Sequence, residues 1–262
     1  MSESVRHIEQ ALIPVVDRSE IAEGIFVVRL RSQHLTKYAS PGQFINVRCG
    51  DGCLPLLRRP FSISRVEGDV LELVFNVVGQ GTRMLASRKR GDLVDVLGPL
   101  GIPFNISGTY EAALLVGGGL GAAPLPFLTD RLLREKKRIH TFLGARSANQ
   151  LTGRFLVGLH ISTDDGSKGF HGTVVDALKK YLSENKPEKM KIFGCGPTRM
   201  LKALAEVADS EGIGCELSLE GDMACGMGIC QGCPVERTDG KKKYSLVCVE
   251  GPTFNSHEIV LR

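Results

Sequence analysis

The first hundred residues alternate short apolar runs with glycine, proline and aspartate. Five of these runs have the length and composition of single strands: IFVVRLRS at 25–32, QFINVRC at 43–49, PFSISRVEG at 60–68, VLELVFNVV at 70–78 and DLVDVLGPLG at 92–101. Runs rich in Val, Ile, Leu and Phe between turn residues are typical of β-strands. Only TRMLASRK, at 82–89, has a helix-like pattern. The pattern predicts an antiparallel β-barrel domain over residues 1–108.

After residue 109 the pattern changes to alternating strands and helices. An apolar strand, a glycine-rich turn and a helix occupy 111–137, and further strands and helices follow up to residue 212. Such alternation predicts a parallel sheet, and we place an α/β domain at 109–212. The remaining segment, 213–262, has too few apolar residues for an independent core, so we expect it to fold around whatever it binds.

This last segment contains a cysteine motif with the spacing C-x4-C-x2-C-x14-C. Its four members are Cys225, Cys230, Cys233 and Cys248. The first two intervals are those of plant-type [2Fe–2S] proteins, which predicts that the four thiolates are the metal ligands of such a cluster. A structural zinc site is the alternative, although zinc ligands more often occur as two C-x2-C pairs.

The residues between the cysteines support a tightly wrapped loop. Gly226, Gly228 and Gly232 permit the backbone to turn so that N–H groups point at the sulfur atoms. The neighbouring apolar residues are expected to cover the cluster from water; they are Met223, Ala224, Met227 and Ile229. Because the segment is short, we also expect the apolar loop to lie near the surface, where it would contact a partner.

Composition limits the cellular compartments and the kinds of partner that we expect for this protein. The 262 residues include eight cysteines, and the net charge is only +4 with basic and acidic residues interleaved. The sequence has no apolar stretch of membrane-spanning length and no signal-peptide pattern at its start, so we expect a cytoplasmic protein without nucleic-acid or membrane partners. Reduced cytosolic thiols do not form a disulfide framework. Cys49 and Cys53 are expected to be unpaired thiols of a surface loop, and Cys215 a small core residue.

Two further motifs have features of nucleotide-binding sites. RRPFSIS at 58–64 offers an arginine and a hydroxyl to a phosphate or a flavin edge, and GQGT at 79–82 leads into a helix. LLVGGGLGAAPL at 114–125 follows a buried strand and opens a helix, as dinucleotide sites do, but it is not G-x-G-x-x-G in register. The next strand ends with Arg146 and no acidic residue, so the usual sign that separates NAD from NADP is missing.

Together these motifs resemble the ferredoxin–NADP reductase superfamily over about residues 10–210. The added EGDMACGMGICQGC, the fourth cysteine and EGPTF make nearly the whole chain similar to the electron-transfer subunits of class B (NAD-dependent) dihydroorotate dehydrogenases. The family often has Asp where this chain has Glu250, which is a conservative difference.

The resemblance implies a set of cofactor-binding residues. FAD would be lined by Arg59, Pro60, Phe61, Ser62, Val74, Phe75 and Asn76, with Gly81 and Thr82 at its pyrophosphate. The nicotinamide nucleotide would be bordered by Gly117, Gly118, Gly119, Gly121, Cys195, Gly196 and Pro197. No catalytic acid or base is predicted, because the six histidines are scattered and none stands in a recognisable motif.

The resemblance also implies a function. A partner subunit would oxidise dihydroorotate on its FMN, and this oxidoreductase chain would pass the electrons through its [2Fe–2S] cluster and FAD to NAD⁺, in a heterotetramer with two copies of each chain. The alternative is an NAD(P)H-dependent flavin and iron–sulfur reductase subunit of another complex, of the hydrogenase or transhydrogenase type. Transhydrogenase relatives tend to replace one cluster cysteine with aspartate, whereas all four are present here. A zinc-stabilised binding module without redox activity is the third hypothesis.

Overall fold

The computed structural model describes residues 7–50, 52, 54–185, 189–238, 240 and 242–262. It contains a six-stranded closed antiparallel barrel with the strand order β1-β2-β5-β4-β3-β6. The barrel strands are β1 (Glu9–Ala22), β2 (Ile25–Arg31), β3 (Phe44–Arg48), β4 (Arg59–Glu67), β5 (Val70–Asn76) and β6 (Leu93–Leu100). Its helices are α1 (Gln33–Tyr38) and α2 (Gln80–Ala86).

The barrel confirms all five predicted strands and the helix, and adds two elements. Strand β1 has register shifts between Val15 and Asp17 and between Glu20 and Ala22, so its residues do not alternate regularly between inside and outside. Helix α1 is only six residues long and is capped by the preceding Ser32, whose Oγ accepts the N–H of Leu35. Neither element has the regular periodicity from which a strand or helix is recognised.

The α/β domain is built on a seven-stranded sheet with the order β10-β9-β8-β7-β11-β12-β15. Its strands are β7 (Ala112–Gly118), β8 (Arg138–Ala145), β9 (Leu159–Thr163), β10 (Phe170–His171), β11 (Met190–Cys195), β12 (Gly214–Ser218) and β15 (Thr253–Asn255). All pairs are parallel except β12 with β15. Its helices are α3 (Leu125–Arg134), α4 (Val174–Glu184) and α5 (Thr198–Glu211).

Alternate residues of the central strand β7 pack against helices on opposite faces of the sheet. Leu114 and Val116 share a core with α4 and α5, whereas Ala113 and Leu115 share one with α3. Because both faces of the strand are buried, its sequence is a continuous apolar run, as parallel strands usually are.

The cysteine segment adds a two-stranded hairpin of β13 (Pro234–Glu236) and β14 (Tyr244–Leu246), followed by the short helix α6 (Val247–Glu250). Its apolar side chains pack with Phe44 and Leu100 of the barrel. Strands β12 and β15, which lie within 213–262, belong to the seven-stranded sheet. The segment therefore shares its core with both larger units, and the two boundaries, after residues 108 and 212, stay a prediction.

The expectation for Cys49 is wrong. Its side chain is completely buried in the barrel core, where burial raises the pKa of the thiol to about 11. Cys53 lies outside the described residues. Cys215 is a buried core residue as predicted, and burial raises its pKa to about 12. In the part of the chain that the structure describes, no helix has the length and apolar character needed to cross a bilayer.

Candidate functional site

A groove of about 430 Å³ lies where the barrel, the α/β domain and the cysteine segment meet. Eight of the nine residues expected at FAD line it: Arg59, Pro60, Phe61, Ser62, Val74, Phe75, Asn76 and Thr82. The same groove is lined by Leu120 and Gly121 from the glycine turn, by Cys195, and by Met223 beside the first cysteine of the motif. Residues from all three sequence motifs thus meet in one place.

The barrel wall of the groove is formed by the neighbouring strands β4 and β5. The aromatic rings of Phe61 and Phe75 lie with their centroids 5.3 Å apart, and both side chains are buried. The Arg59 guanidinium donates to the carbonyl of Leu57, 2.8 Å away, which holds the side chain at the groove. Gly81 lies under this side chain: a Cβ atom placed on it would be 3.4 Å from the Arg59 Cγ. Gly81 therefore supports Arg59 and does not itself line the groove.

Thr82 stabilises the start of helix α2. Its Oγ1 accepts the N–H groups of Val78 and Gly79, at 3.0 and 3.1 Å, so the turn before the helix is fixed. This places the beginning of α2 beside the strand that carries Asn76.

The glycine turn and the C-G-P motif follow two neighbouring parallel strands and touch each other. Gly117 of β7 stands opposite Cys195 of β11. A Cβ atom on Gly121 would lie 2.5 Å from the Cα of Gly196 and 2.6 Å from the carbonyl oxygen of Cys195. Two backbones can approach this closely only where side chains are absent. The carboxyl ends of parallel strands are also where α/β sheets bind their ligands.

A second cavity of about 740 Å³ opens over these strand ends and adjoins the first groove at Leu120, Gly121 and Asn76. Of the residues expected at the nicotinamide nucleotide, Gly118, Gly119, Gly121 and Pro197 line it, and Cys195 lines the first groove. Gly117 and Gly196 instead provide close packing: a Cβ atom on Gly117 would lie 2.9 Å from the Ala122 Cβ, and one on Gly196 2.8 Å from the Met200 Cε.

Sequence reasoning missed several residues of this site. Glu220 lines both cavities and stands two residues after strand β12. Its carboxylate is close enough to Cys195 for its charge to affect the pKa of that thiol. Desolvation raises the pKa of the Glu220 carboxyl. Burial, followed by the nearby Glu220 charge, raises the pKa of the Cys195 thiol to about 12, so this thiol is neutral at physiological pH. Only the position of Glu220 just after a strand end could have indicated that it lines these cavities.

The far end of the second cavity carries charges of both signs. It is lined there by Arg146 after β8, by Asp164 after β9, and by Arg199 at the start of α5. Asp164 was missed because the sequence rule for an acidic residue refers to the strand after the glycine turn, which here is followed by Arg146.

The cysteine loop has the backbone geometry of an anion-binding loop. Gly226 and Gly228 adopt φ values of 67° and 87°, as expected for glycines that allow a tight wrap, whereas Gly232 is not in the left-handed region. The N–H groups of Met227 and Cys230 donate to the Cys225 sulfur at 3.5 and 3.4 Å. Desolvation opposes ionisation of Cys225, but these N–H groups outweigh it and lower its pKa to about 6.

The four thiols form two pairs. Cys225 contacts Cys230, and Cys233 contacts Cys248, whose N–H donates to the Cys233 sulfur at 3.4 Å. Across the described residues, no three His, Cys, Asp or Glu side chains converge as they would on a single metal ion. Each pair would offer two thiols to one iron of a [2Fe–2S] cluster, and the spacing of the four cysteines remains the observation that favours the cluster over zinc.

The loop is attached to the outside of the barrel. Asn46 of β3 is almost completely buried, and its Nδ2 donates to the Cys225 carbonyl at 3.0 Å. Glu250 fixes the turn that carries Cys248, because its carboxylate accepts the Leu246 N–H at 2.7 Å. The loop thus has one anchor on the barrel and one within its own segment.

The apolar loop residues do not all cover the thiols as expected. Met223 packs inward against the shared core, but Met227 and Ile229 are 41% and 77% exposed and Ala224 is also exposed. The exposure agrees with the expectation that the loop lies at the surface.

Replacing Asn46 with alanine is expected to loosen the metal site without unfolding the barrel. The change removes one buried hydrogen bond to the Cys225 carbonyl, worth about 1 kcal/mol, and leaves that carbonyl without its donor. We expect faster loss of metal absorbance when a chelator is added, with flavin content unchanged. Thr36→Ala, which removes a hydroxyl bonded to Ser32 within helix α1, is the control. Equal rates of metal loss in wild type and Asn46→Ala would contradict the anchoring role.

Comparisons with known proteins agree with this arrangement. Residues 220–260 match the family model described as the iron-sulfur cluster binding domain of dihydroorotate dehydrogenase B. The chain is 38% identical over 249 residues to the dihydroorotate dehydrogenase B (NAD(+)) electron transfer subunit of Desulforamulus reducens, covering 92% of this chain and 94% of that one. It is 35% identical to the subunit of the same name from Bacillus velezensis, covering 97% of this chain and 100% of that one.

Solved structures define the class. An NADH-dependent reduced ferredoxin–NADP oxidoreductase superposes with a TM-score of 0.84 at 32% identity, covering 100% of this chain and 92% of that one. A ferredoxin reductase of carbazole 1,9a-dioxygenase has a TM-score of 0.65 at 22% identity, covering 79% and 67% of the two chains, and shares the fold. The protein is thus a reductase of the ferredoxin–NADP reductase fold with an added iron–sulfur segment.

Within that class, the curated relatives show to which family the chain belongs. The identity extends over nearly the full length of both partners in each comparison with the curated relatives. The chain belongs to the family of electron transfer subunits of dihydroorotate dehydrogenase B (NAD(+)).

Proposed function

We propose that this chain carries electrons from a catalytic dihydroorotate-oxidising FMN subunit through a [2Fe–2S] cluster and FAD to NAD⁺, as part of pyrimidine biosynthesis. The observation that supports this most directly is the groove, because it joins the flavin strands, the glycine turn and the cysteine segment in one site. FAD, when bound, exchanges a two-electron hydride with the nicotinamide and single electrons with an iron–sulfur cluster.

The barrel residues would hold the flavin. Arg59 presents a guanidinium already fixed at the groove, which suits a phosphate, and Phe61 and Phe75 offer an apolar wall for a planar ring. Val74 and Asn76 would border the ring on the neighbouring strand, and the start of α2 with Thr82 would meet the pyrophosphate.

The α/β residues would bring the nicotinamide against the flavin. Gly118, Gly119 and Gly121 leave room for a nucleotide at the strand ends, and Cys195 with Pro197 borders the passage between the two cavities. Because burial keeps the Cys195 thiol neutral, it adds no negative charge beside a reacting ring.

The four cysteines would hold the cluster at the barrel surface. The N–H donors to Cys225 favour its thiolate, and the exposed Met227 and Ile229 make the loop a contact surface. We place the cluster between FAD in this chain and FMN in the partner, in an assembly with two copies of each chain.

The protein purified with its cofactors is expected to contain one FAD and two irons per chain. Its absorption should show the flavin bands with a broad cluster shoulder, and dithionite should produce the paramagnetic signal of a reduced [2Fe–2S] centre. Metal analysis and EPR make this measurement. Stoichiometric zinc without iron would contradict the assignment and favour a structural metal module.

Co-expression with a dihydroorotate-oxidising flavoprotein tests the function itself. The expected result is a stable complex that reduces NAD⁺ with dihydroorotate, which neither chain does alone. A chain that stays monomeric beside that partner would contradict the proposal.

A reductase subunit of another complex is the second candidate, and the 32%-identical bifurcating oxidoreductase favours it. Activity measurements with both nicotinamides and with reduced ferredoxin distinguish the two, since a dihydroorotate-linked subunit needs no ferredoxin. We also propose a cytoplasmic location, because none of the cysteines in the described ranges forms a disulfide bond.

A further inference from the structure

We propose that the outer face of the barrel on strands β1 and β6 is a second part of the docking surface for the catalytic flavoprotein subunit, beside the cysteine loop. This inference rests on the proposed function. We call this face the outer patch and define it by Leu12, Leu93, Arg48, Asp95 and Gln10, which line a depression of about 550 Å³.

The strand pairing makes the outer patch continuous. Leu12 stands opposite Asp95, and Arg48 pairs with Asp95 from the other side, so the three side chains form one row across β1, β6 and β3. Residues next to them in sequence, Ile13 and Val94, point into the barrel core. The alternation shows that Leu12 and Leu93 point outward.

The patch holds two large apolar side chains that stand mostly in water. Leu12 and Leu93 are 64% and 52% exposed. The loop before β4 extends this area, because Arg58 pairs with Asp95 at 2.7 Å and is preceded by the exposed residues Leu56 and Leu57. Contiguous exposed apolar area of this kind usually marks a contact site.

The position of the outer patch relative to the cysteine segment indicates which protein binds the patch. Following the barrel order, the flavin wall lies on β5 and β4, and the cysteine segment lies against β3 and β6 through Asn46 and Leu97. The outer patch comes next, on β6 and β1. A subunit that delivers electrons to the cluster from the side away from FAD therefore lies over the outer patch.

The charged residues around the patch indicate which kinds of residue the partner's surface must present. Arg48 at the patch and Lys89 and Arg90 on the adjoining turn are exposed, and that turn is bonded to β1 because the Gly91 N–H donates to the Val15 carbonyl. The complementary surface is an apolar area with acidic residues at its edge. The catalytic flavoprotein subunit is expected to carry such an area beside its flavin.

Substitution of the two leucines tests the inference. Leu12→Asp, Leu93→Asp and the double variant should each weaken binding to the dihydroorotate-oxidising subunit, the double variant by at least about tenfold in Kd by titration calorimetry. Flavin content, iron content and NADH oxidation with an artificial dye should stay at wild-type values. Leu133→Asp, an equally apolar change on helix α3 at 47% exposure, is the matched control and should bind normally.

The outcomes separate this inference from the proposed function. If Ile229→Asp weakens the complex while the Leu12/Leu93 double variant binds like wild type, the outer patch is not part of the interface and the inference is wrong, although the proposed function stands. If light scattering shows that the free chain dimerises through the patch and the double variant only abolishes that dimer, a second copy is the occupant and the inference is again wrong. Absence of any wild-type complex overturns both.

Discussion

Replacing Cys230 with serine is expected to abolish electron transfer between dihydroorotate and NAD⁺ while NADH oxidation with an artificial dye continues. Cys230 is one of the four thiols and pairs with Cys225, so its loss disrupts the cluster. The barrel wall of the groove on β4 and β5 and the glycine turn do not depend on this side chain. We expect partner-linked activity to fall by at least roughly 100-fold, since even indirect supports of metal ligands can cost that much.

The measurement compares both activities in the same preparation of the assembled complex. Cys215→Ala, which removes a buried thiol of strand β12 that is not a proposed ligand, is the control and should keep both activities. Equal loss of the two activities in Cys230→Ser would mean that the cluster is structural or that electrons reach FAD through it even from NADH.

Gly121→Ala should strongly impair the reaction with NADH for every acceptor. The added Cβ would lie 2.5 Å from the Cα of Gly196 and 2.6 Å from the Cys195 carbonyl, and both neighbours are backbone atoms that cannot rotate away. The glycine turn and the C-G-P loop must separate, which displaces the border between the two cavities. A displacement of about 1 Å at a reacting pair can cost about 100-fold in rate, and we expect kcat/KM for NADH to fall by that order.

Stopped-flow reduction of the flavin by NADH makes this measurement, with reduction by dithionite as a check that flavin is bound. Gly214→Ala is the matched control: it is the same substitution, at a strand start where no atom lies within 4 Å of the new Cβ. The cluster spectrum should be unchanged in both variants, because the cysteine loop is anchored to β3. A wild-type kcat/KM in Gly121→Ala would show that the turn does not position the nicotinamide.

Much of the fold is readable from local sequence patterns because its elements are regular. The five predicted barrel strands are short runs rich in Val, Ile, Leu and Phe between turn residues, and β7 is a continuous apolar run, so composition identifies them. Strand β1 was not predicted because Pro14 and the charged residues Asp17, Arg18 and Glu20 interrupt its apolar run. Helix α1 was not predicted because six residues hold too little of a helical period. The prediction that Cys49 lies in a surface loop was wrong because the residue comes just after β3, where loop and core sequences look alike. Only the closure of the barrel buries its side chain.

The residues of the candidate site also fall into two groups, those that local motifs predict and those that only the tertiary structure brings to the site. Its motifs are local: the R-P-F-S strand, the glycine turn and the cysteine spacing each depend on neighbouring residues, and their chemistry follows from residue type. Glu220, Asp164 and Asn46 stand in no motif, and they join the site only because distant segments meet there. Their roles arise from packing between elements up to 179 positions apart, as for Asn46 and Cys225.

The sequence alone therefore determined the two domain types, the cofactor motifs and the four thiols, since each depends on spacing and composition within a short stretch. Only the tertiary structure decided that the cysteine segment shares a core with the barrel, that the groove and the second cavity adjoin at Gly121, and that Leu12 and Leu93 stand exposed beside the cysteine segment. The physical reason is that closure of the barrel and the order of strands in a sheet fix which distant residues become neighbours, and no local pattern encodes that order.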